Sequence, residues 1–265
     1  MVPTSQQRLV DLDGELIGLV KPINVLKHLN WPDAVEEKFL EGWHAGRPSL
    51  PDIEIRVPDW TGLIAALDDF VGRCDGDDAI LQFLRRTASS YAEAARMLMA
   101  AGTPEFTVRS IHIYGRPDDV YETQSFTGVD AAAFLLEKTD HLLQASYIAP
   151  ADADLPAPEF AQKLQQAVDA YFVDDKVNIV VDNDLSSKAI AGMTRIRIRG
   201  SALFSELDFD QLYQHEALVH SATAPNGRRQ TNLKSLSLSA PRTTRTQEGI
   251  AVFAELVTRS IDIGR

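Results

Sequence analysis

The sequence predicts an α+β fold, with a mainly helical N-terminal region over residues 1–102 and a mixed region over residues 103–265. Two observations support this prediction. Before Gly102 the apolar residues recur at helical spacing, whereas beyond it short runs of β type appear between further helical stretches. The helices come first and strands do not alternate with them regularly, which favours α+β over a parallel α/β arrangement.

The N-terminal region is predicted to hold a series of helices. Apolar spacing is helical from Ser5 to about Trp43, with breaks at Pro22 and before Pro32. Residues 46–58 contain three prolines and are predicted to form an extended loop. Two further helices are expected at residues 60–71 and 78–101, the second being rich in alanine, leucine and arginine.

The mixed region is predicted to combine strands and helices around a small sheet. A strand is expected at residues 107–114, a short buried strand at 177–181, and a half-exposed strand at 194–199, where arginine and isoleucine alternate. The helical pattern returns in four stretches, at residues 130–144, 158–172, 204–223 and 247–258.

Composition excludes several classes of function. The net charge of −12 repels phosphate backbones, so we expect no nucleic-acid partner. No apolar run is long enough to span a membrane, and the N-terminus has no secretory signal. The single cysteine, Cys74, rules out an intrachain disulfide and favours a reducing cytoplasm. The oligomeric state is left open.

The segment HEALVH at residues 215–220 carries the most chemistry. On a helix, His215 and His220 can supply two nitrogen ligands to zinc, and Glu216 beside them can act as a base. The familiar HExxH spacing separates the histidines by roughly 40° around a helix, whereas the spacing of five here separates them by roughly 140°. We therefore predict a π-bulge or a loosened turn between Leu218 and His220. The alternative is a pair of partly exposed histidines on an ordinary amphipathic helix.

A third ligand is predicted at Glu248. Thr246 is a suitable N-cap, which would place Glu248 in the first turn of the last helix, and Gly249 would allow another backbone to come close. An acid in a first turn can also simply complement the helix dipole. Glu255, two turns further on, is the competing ligand. Two histidines and one glutamate leave a fourth position for water, which is typical of a catalytic zinc.

These motifs resemble the QEGLA-motif family, a group of bacterial proteins whose eukaryotic relatives are the microtubule-associated tyrosine carboxypeptidases. The resemblance implies a zincin-like peptidase with an HExxxH helix, zinc held by His215, His220 and Glu248, and Glu216 as the general base. Ile250 stands where the family motif has leucine, and Thr231 where the family usually has proline. Relatives generally continue beyond the point where this chain stops, so a C-terminal truncation is expected. The segments that carry the resemblance are HEALVH at 215–220, NGRRQ at 226–230 and TRTQEGIAVFAEL at 244–256.

The expected substrate is a peptide or protein C-terminus. A free carboxylate is well recognised by arginine or by amide donors, so Asn226 and Arg228 after the metal helix are candidates, Arg229 less so. The alternative for them is a solvated turn. The resemblance also implies that the substrate pairs with an edge strand at residues 194–199. Rival functions are an amidase or aminopeptidase, or a non-enzymatic zinc-binding regulator. Glu216 favours an enzyme, because metal binding does not need it.

Overall fold

A computed structural model describes residues 5–121, 125–144, 153–185, 187–192 and 194–261. It confirms the α+β class, with helices throughout and a small mixed sheet. The chain forms two compact units: the first comprises Met1–Tyr114 and Gly227–Thr243, and the second Gly115–Asn226 and Thr244–Arg265. The predicted regions divided the chain once, after residue 102, whereas residues 103–114 and 227–243 also lie in the first unit. Within the described residues, no helix combines the length and the apolar character needed to cross a membrane.

The first unit is helical. Its core forms where α1, α4 and α5 pack together around side chains such as Leu16, Leu67, Phe70 and Leu84, which are fully buried. The longest helix, α5, begins at an aspartate N-cap, where the Asp78 carboxylate accepts from the backbone N–H groups of the first turn. The helices are α1 (Ser5–Val20), α2 (Val25–Leu29), α3 (Asp33–His44), α4 (Thr61–Arg73), α5 (Ala79–Met99) and α6 (Pro104–Tyr114).

The strand predicted at residues 107–114 is wrong, because this segment is the body of α6. Its β-branched residues gave a strand pattern, but the helix has a proline at its first position and Glu105 in its first turn, both favourable to a helix start. Arg109 then bonds Glu105 one turn back, at 2.9 Å, and Glu93 on α5, at 3.0 Å. Packing and pairing against α5 thus override the local strand preference.

Residues 227–243 return to the first unit and are held there by polar contacts. The buried carboxylate of Asp13 accepts from the backbone N–H groups of Lys234 and Ser235 at 2.7 and 3.0 Å, and from the Ser235 hydroxyl. Tyr91 donates its hydroxyl to the Ser239 carbonyl at 3.2 Å, and burial raises the pKa of Tyr91 to about 12. This segment contains two short 3₁₀ helices, Lys234–Ser237 and Pro241–Thr243.

The second unit is built around one long helical element and the sheet. Its core joins Phe160 and Leu164 to Ile196, Ile198 and Phe204, all fully buried. The elements are α7 (Gly128–Gln144), β1 (Leu155–Pro156), α8 (Ala157–Tyr171), β2 (Asn178–Asp182), β3 (Ala189–Ala191), β4 (Arg195–Arg199), β5 (Leu203–Phe204), α9 (Glu206–Leu212), a π-helix (Tyr213–Ser221), α10 (Ala222–Arg228, which runs on into the first unit) and α11 (Thr244–Thr258).

The sheet corrects two predictions. Its strand order is β2–β4–β3, with β2 parallel and β3 antiparallel to β4, so the arginine-rich strand β4 is central and not an edge. Alternation along β4 is as predicted, since Ile196 and Ile198 are buried between more exposed arginines. Strand β2, predicted to be buried, is largely exposed because it lies at one edge. Among the described strands, β3 forms the other edge.

Candidate metal centre

The segment that carries the two histidines is a π-helix, Tyr213–Ser221. It continues directly from α9, which starts with a capping box: Ser205 Oγ accepts from the Asp208 N–H, and the Asp208 carboxylate accepts from the Ser205 N–H. In a π-helix the backbone hydrogen bonds join residues five apart, which is the spacing of the two histidines. The predicted departure from regular α-helix between Leu218 and His220 is confirmed.

The two imidazoles lie side by side as a result. Their ring centroids are 4.9 Å apart and their planes are inclined by 58°. Their side chains are 17% and 16% exposed, so both rings are largely sheltered. The alternative of two partly exposed histidines on an ordinary helix is weakened by the π-helix and by the close approach of the rings.

Glu248 on α11 completes a cluster with these rings. Its Oε2 lies 3.6 Å from His215 Nε2 and its Oε1 lies 3.6 Å from His220 Nε2. One ligand atom from each of the three residues falls within 4.8 Å of the others. Zinc with bonds of about 2.0–2.2 Å keeps tetrahedral ligand atoms roughly 3.5 Å apart, so the donor types and their spacing both fit this ion.

The context of Glu248 differs from the prediction in two ways. The helix begins at Thr244 and not after Thr246, so Glu248 lies in the second turn, where the helix dipole gives little stabilisation to an acid. A side chain at Gly249 would meet nothing within 4 Å, so this glycine is not there to admit another backbone. The dipole explanation for Glu248 is therefore weakened, and its contacts with the two imidazoles remain.

Glu255, the competing ligand, lies outside the three-residue cluster. Its carboxylate is 3% exposed, with Oε1 2.5 Å from His215 Nδ1 and Oε2 accepting from Gln211 Nε2 at 2.9 Å. It stands seven residues after Glu248, which places both acids within roughly 20° of each other on one helix face. The seven-residue spacing of the two acids was visible in the sequence. Nothing in the sequence indicated that Gln211 would donate a hydrogen bond to Glu255.

The Glu216 side chain faces strand β3, which lies beside the π-helix. Its Oε2 accepts a hydrogen bond from the Ala191 N–H on β3 at 2.9 Å. Strand β3 is held along the same helical element at both ends: Lys188 bonds Asp208 at 2.7 Å, and Ser221 Oγ lies 3.4 Å from the Gly192 carbonyl. The π-helix therefore directs His215 towards α11 and Glu216 towards β3.

The ion pair at the start of β3 is partly buried. Burial raises the pKa of Asp208, but the hydrogen bonds from Lys188 and from Ser205 outweigh it and hold this pKa below its ordinary value. Asp208 therefore stays charged, caps α9 and anchors β3 at the same time. This residue was not singled out from the sequence, where Asp210 and Glu206 nearby look equivalent to it.

The predicted substrate-binding residues lie on α10. Asn226 and Arg228 are exposed, as the alternative of a solvated segment requires, but the segment is helical and not a turn, because the helix continues through Pro225. The second unit includes Asn226, whereas Arg228 and Arg229 belong to the first unit. The structure brings His215, His220 and Glu248 together in the second unit.

Comparison with known proteins supports the family resemblance. The family model described as microtubule-associated tyrosine carboxypeptidase matches residues 37–265. No curated protein and no solved structure gives a significant match. Since the family model covers most of the sequence, including all the segments that suggested the resemblance, the chain belongs to the microtubule-associated tyrosine carboxypeptidase family.

Proposed function

We propose that this chain is a zinc-dependent peptidase of carboxypeptidase type. One observation carries the proposal: two imidazole nitrogens and a carboxylate lie close together, and the residue that follows the first histidine is a glutamate that the cluster does not use. A purely structural zinc site is usually closed by four protein ligands, whereas three protein ligands and an additional base are typical of a hydrolase. Membership of a carboxypeptidase family supports the same reaction class.

His215, His220 and Glu248 would hold the metal through the nitrogen and oxygen atoms that already face one another. When bound, zinc supplies Lewis acidity, which polarises the scissile carbonyl and lowers the pKa of a water molecule. Glu216 would act as the general base and accept a proton from the attacking water as its oxygen bonds to the carbonyl carbon. Glu216 then passes the proton to the amide nitrogen, the C–N bond breaks, and a carboxylic acid and an amine leave.

Strand β3 is the element that we propose pairs with the substrate, in place of the central strand β4. Gly192 and Lys188 make the backbone bonds to β4, so the backbone groups of Ala189 and Ala191 point to the outer side of the strand. The Ala191 N–H already bonds Glu216 on that side. An extended peptide added to this edge would therefore run beside the base.

A carboxypeptidase must also recognise a free substrate carboxylate. Asn226 and Arg228 remain our candidates for this contact, since an amide and a guanidinium both donate hydrogen bonds to carboxylates. The family name specifies removal of tyrosine, so peptides with an aromatic last residue are the first substrates to test.

Metal analysis tests the ligands and kinetics test the base. We expect about one zinc per chain in the wild type and almost none in His215→Ala. Glu216→Gln should keep the zinc, because it leaves the ligands intact, and should lower turnover by about 10²–10⁴-fold. Full zinc occupancy in His215→Ala would refute the assignment of the ligands.

Peptide pairs test the specificity. If the enzyme is a carboxypeptidase, amidation of the C-terminus should abolish cleavage, and Arg228→Ala or Asn226→Ala should mainly raise KM. Equal cleavage of free and amidated peptides would instead indicate an aminopeptidase or another amidase. A zinc-loaded chain that cleaves no peptide would favour a non-enzymatic regulatory role.

A further inference from the structure

We propose that Glu255, supported by Gln211, is a positioning residue that fixes His215 for metal binding. The inference rests on the proposed function, since it assumes that His215 binds a metal. Glu255 would act through the imidazole and would touch neither the metal nor the substrate.

The geometry separates the two nitrogens of His215. Nδ1 lies 2.5 Å from Glu255 Oε1, while Nε2 faces Glu248 at 3.6 Å. A carboxylate only accepts hydrogen bonds, so Nδ1 is the donor in this contact, and in the neutral imidazole Nε2 then keeps a lone pair with which to bind a metal. The contact therefore selects both the tautomer and the orientation of the ring.

Gln211 fixes the carboxylate in turn. Its Nε2 donates to Glu255 Oε2 at 2.9 Å, and Gln211 itself is buried at 4% exposure. Gln211 lies on α9, one helical turn before His215, and Glu255 lies on α11. The three side chains thus form a connected row between the two helices that supply the metal ligands.

The charge of Glu255 is a second reason to infer a role at the metal. Within the described part of the chain, no lysine or arginine pairs with this buried carboxylate; its partners are a histidine and a neutral amide. Burying a carboxylate without a cation is costly. A metal ion on the far side of the imidazole would compensate the charge through the ring, and the carboxylate would in turn make the imidazole a better electron donor.

The carboxylate of Glu255 supports only one of the three proposed ligands, His215. Among the described residues, no carboxylate contacts Nδ1 of His220, and the acid near this ring is Glu248, at Nε2. Removing the Glu255 charge should therefore weaken one metal bond and leave the other two ligands in place. A partial loss of zinc affinity is expected, and not the complete loss expected for His215→Ala.

Glu255→Gln is the test, because it keeps the shape of the side chain and removes only the charge. The dissociation constant of zinc, measured by competition with a chelator, should rise about 10–100-fold. The visible spectrum of the cobalt-substituted protein should also change, since it reports the geometry of the ligands. Gln211→Met, which removes the donor at similar length, should raise the dissociation constant by a smaller factor.

The matched control is Glu206→Gln on α9. It changes the net charge by the same amount, but its carboxylate is exposed and pairs with Lys163. This variant should bind zinc as the wild type does. A purely structural role for Glu255 would lower the melting temperature of the metal-free and zinc-bound forms equally and leave the zinc dissociation constant unchanged, and this outcome would overturn the inference. Absence of zinc binding in the wild type would instead refute the proposed function.

Discussion

Replacing Ala191 by proline should disable the base while leaving the metal ligands intact. The Ala191 N–H is the donor that holds Glu216 Oε2, at 2.9 Å. Proline has no N–H, and its Cδ occupies the space where the hydrogen was. The N–H points away from β4, so the substitution removes no hydrogen bond from the sheet, and proline is tolerated at such positions of an edge strand.

Two estimates of the effect agree. A hydrogen bond to a charged group contributes about 1.5–3 kcal/mol. If this energy is what keeps Glu216 in its reactive orientation, its loss corresponds to a decrease in rate of roughly 10–150-fold. The proline Cδ must also displace the carboxylate by about 1 Å or more, and a displacement of that size costs on the order of 10²-fold. We therefore expect a fall in kcat of about 10²-fold.

The assay compares Ala191→Pro with Ala189→Pro. Both alanines lie on β3, two residues apart, and present their backbone groups to the same side, but only Ala191 bonds Glu216. Zinc content should stay near one equivalent in both variants, and both are compared with the wild type on the same C-terminal peptide. If the substrate also pairs with β3, both variants should raise KM, whereas only Ala191→Pro should lower kcat strongly.

The result that would refute this reasoning is equal kcat in the two proline variants at equal zinc content. In that case the bond from Ala191 would be incidental to catalysis. A large loss of zinc in Ala191→Pro alone would show that the strand supports the ligands and not the base.

Three further predictions concern stability, measured by chemical denaturation. Gly227→Ala should destabilise the fold by about 3 kcal/mol, because a Cβ there would lie 2.1–2.4 Å from backbone atoms of residues 236 and 237. Gly249→Ala is the control: its Cβ meets nothing within 4 Å, so this variant should be neutral or slightly stabilising. The pKa of Asp208 is lower in the folded than in the unfolded protein, where it is near 3.8. The stability that this carboxylate contributes is therefore present above pH 3.8 and is lost as the pH falls through the folded-state pKa. Asp208→Asn should reduce the loss of stability on acidification. Burial raises the pKa of Tyr91 from 10 to about 12 in the folded protein. The stability that the buried phenol contributes is complete below pH 10 and is lost as the pH rises from 10 to 12. Tyr91→Phe should therefore reduce the loss of stability in that range.

The metal cluster was the part of the site that the sequence could predict. Ligand chemistry restricts the choice to a few residue types, and the spacing of His215 and His220 conflicts with a regular helix strongly enough to require a distortion. Glu248 was proposed as an acid near the start of a helical stretch, although that helix begins at Thr244 and not at residue 247, three residues earlier than predicted. The grouping of the three side chains and the distortion of the helix could be predicted because each depends on local spacing along the chain, whereas zinc binding itself stays a prediction.

The contacts around the cluster depend on distant parts of the chain and were not predictable in the same way. The bond from Ala191 to Glu216 comes from a backbone group on a short strand of small residues, which carries no side-chain signal. The order of the strands could not be read from β4 itself, because alternation of arginine and isoleucine fits a central strand in a small sheet as well as an edge. In α6 the β-branched residues misled for a related reason, since pairing with α5 decides the conformation there.

A π-helix is rare because its geometry is less favourable than that of an α-helix, so it persists where its surroundings determine it. Here those surroundings are visible on both sides. Glu255 holds His215 from α11, Ala191 holds Glu216 from β3, and Ala217, the next residue, is fully buried in the core of the second unit. These contacts come from protein groups on neighbouring elements, so packing would set the positions of His215 and Glu216 in the proposed site. Substitutions in these supports should therefore alter zinc affinity or turnover before they unfold the protein.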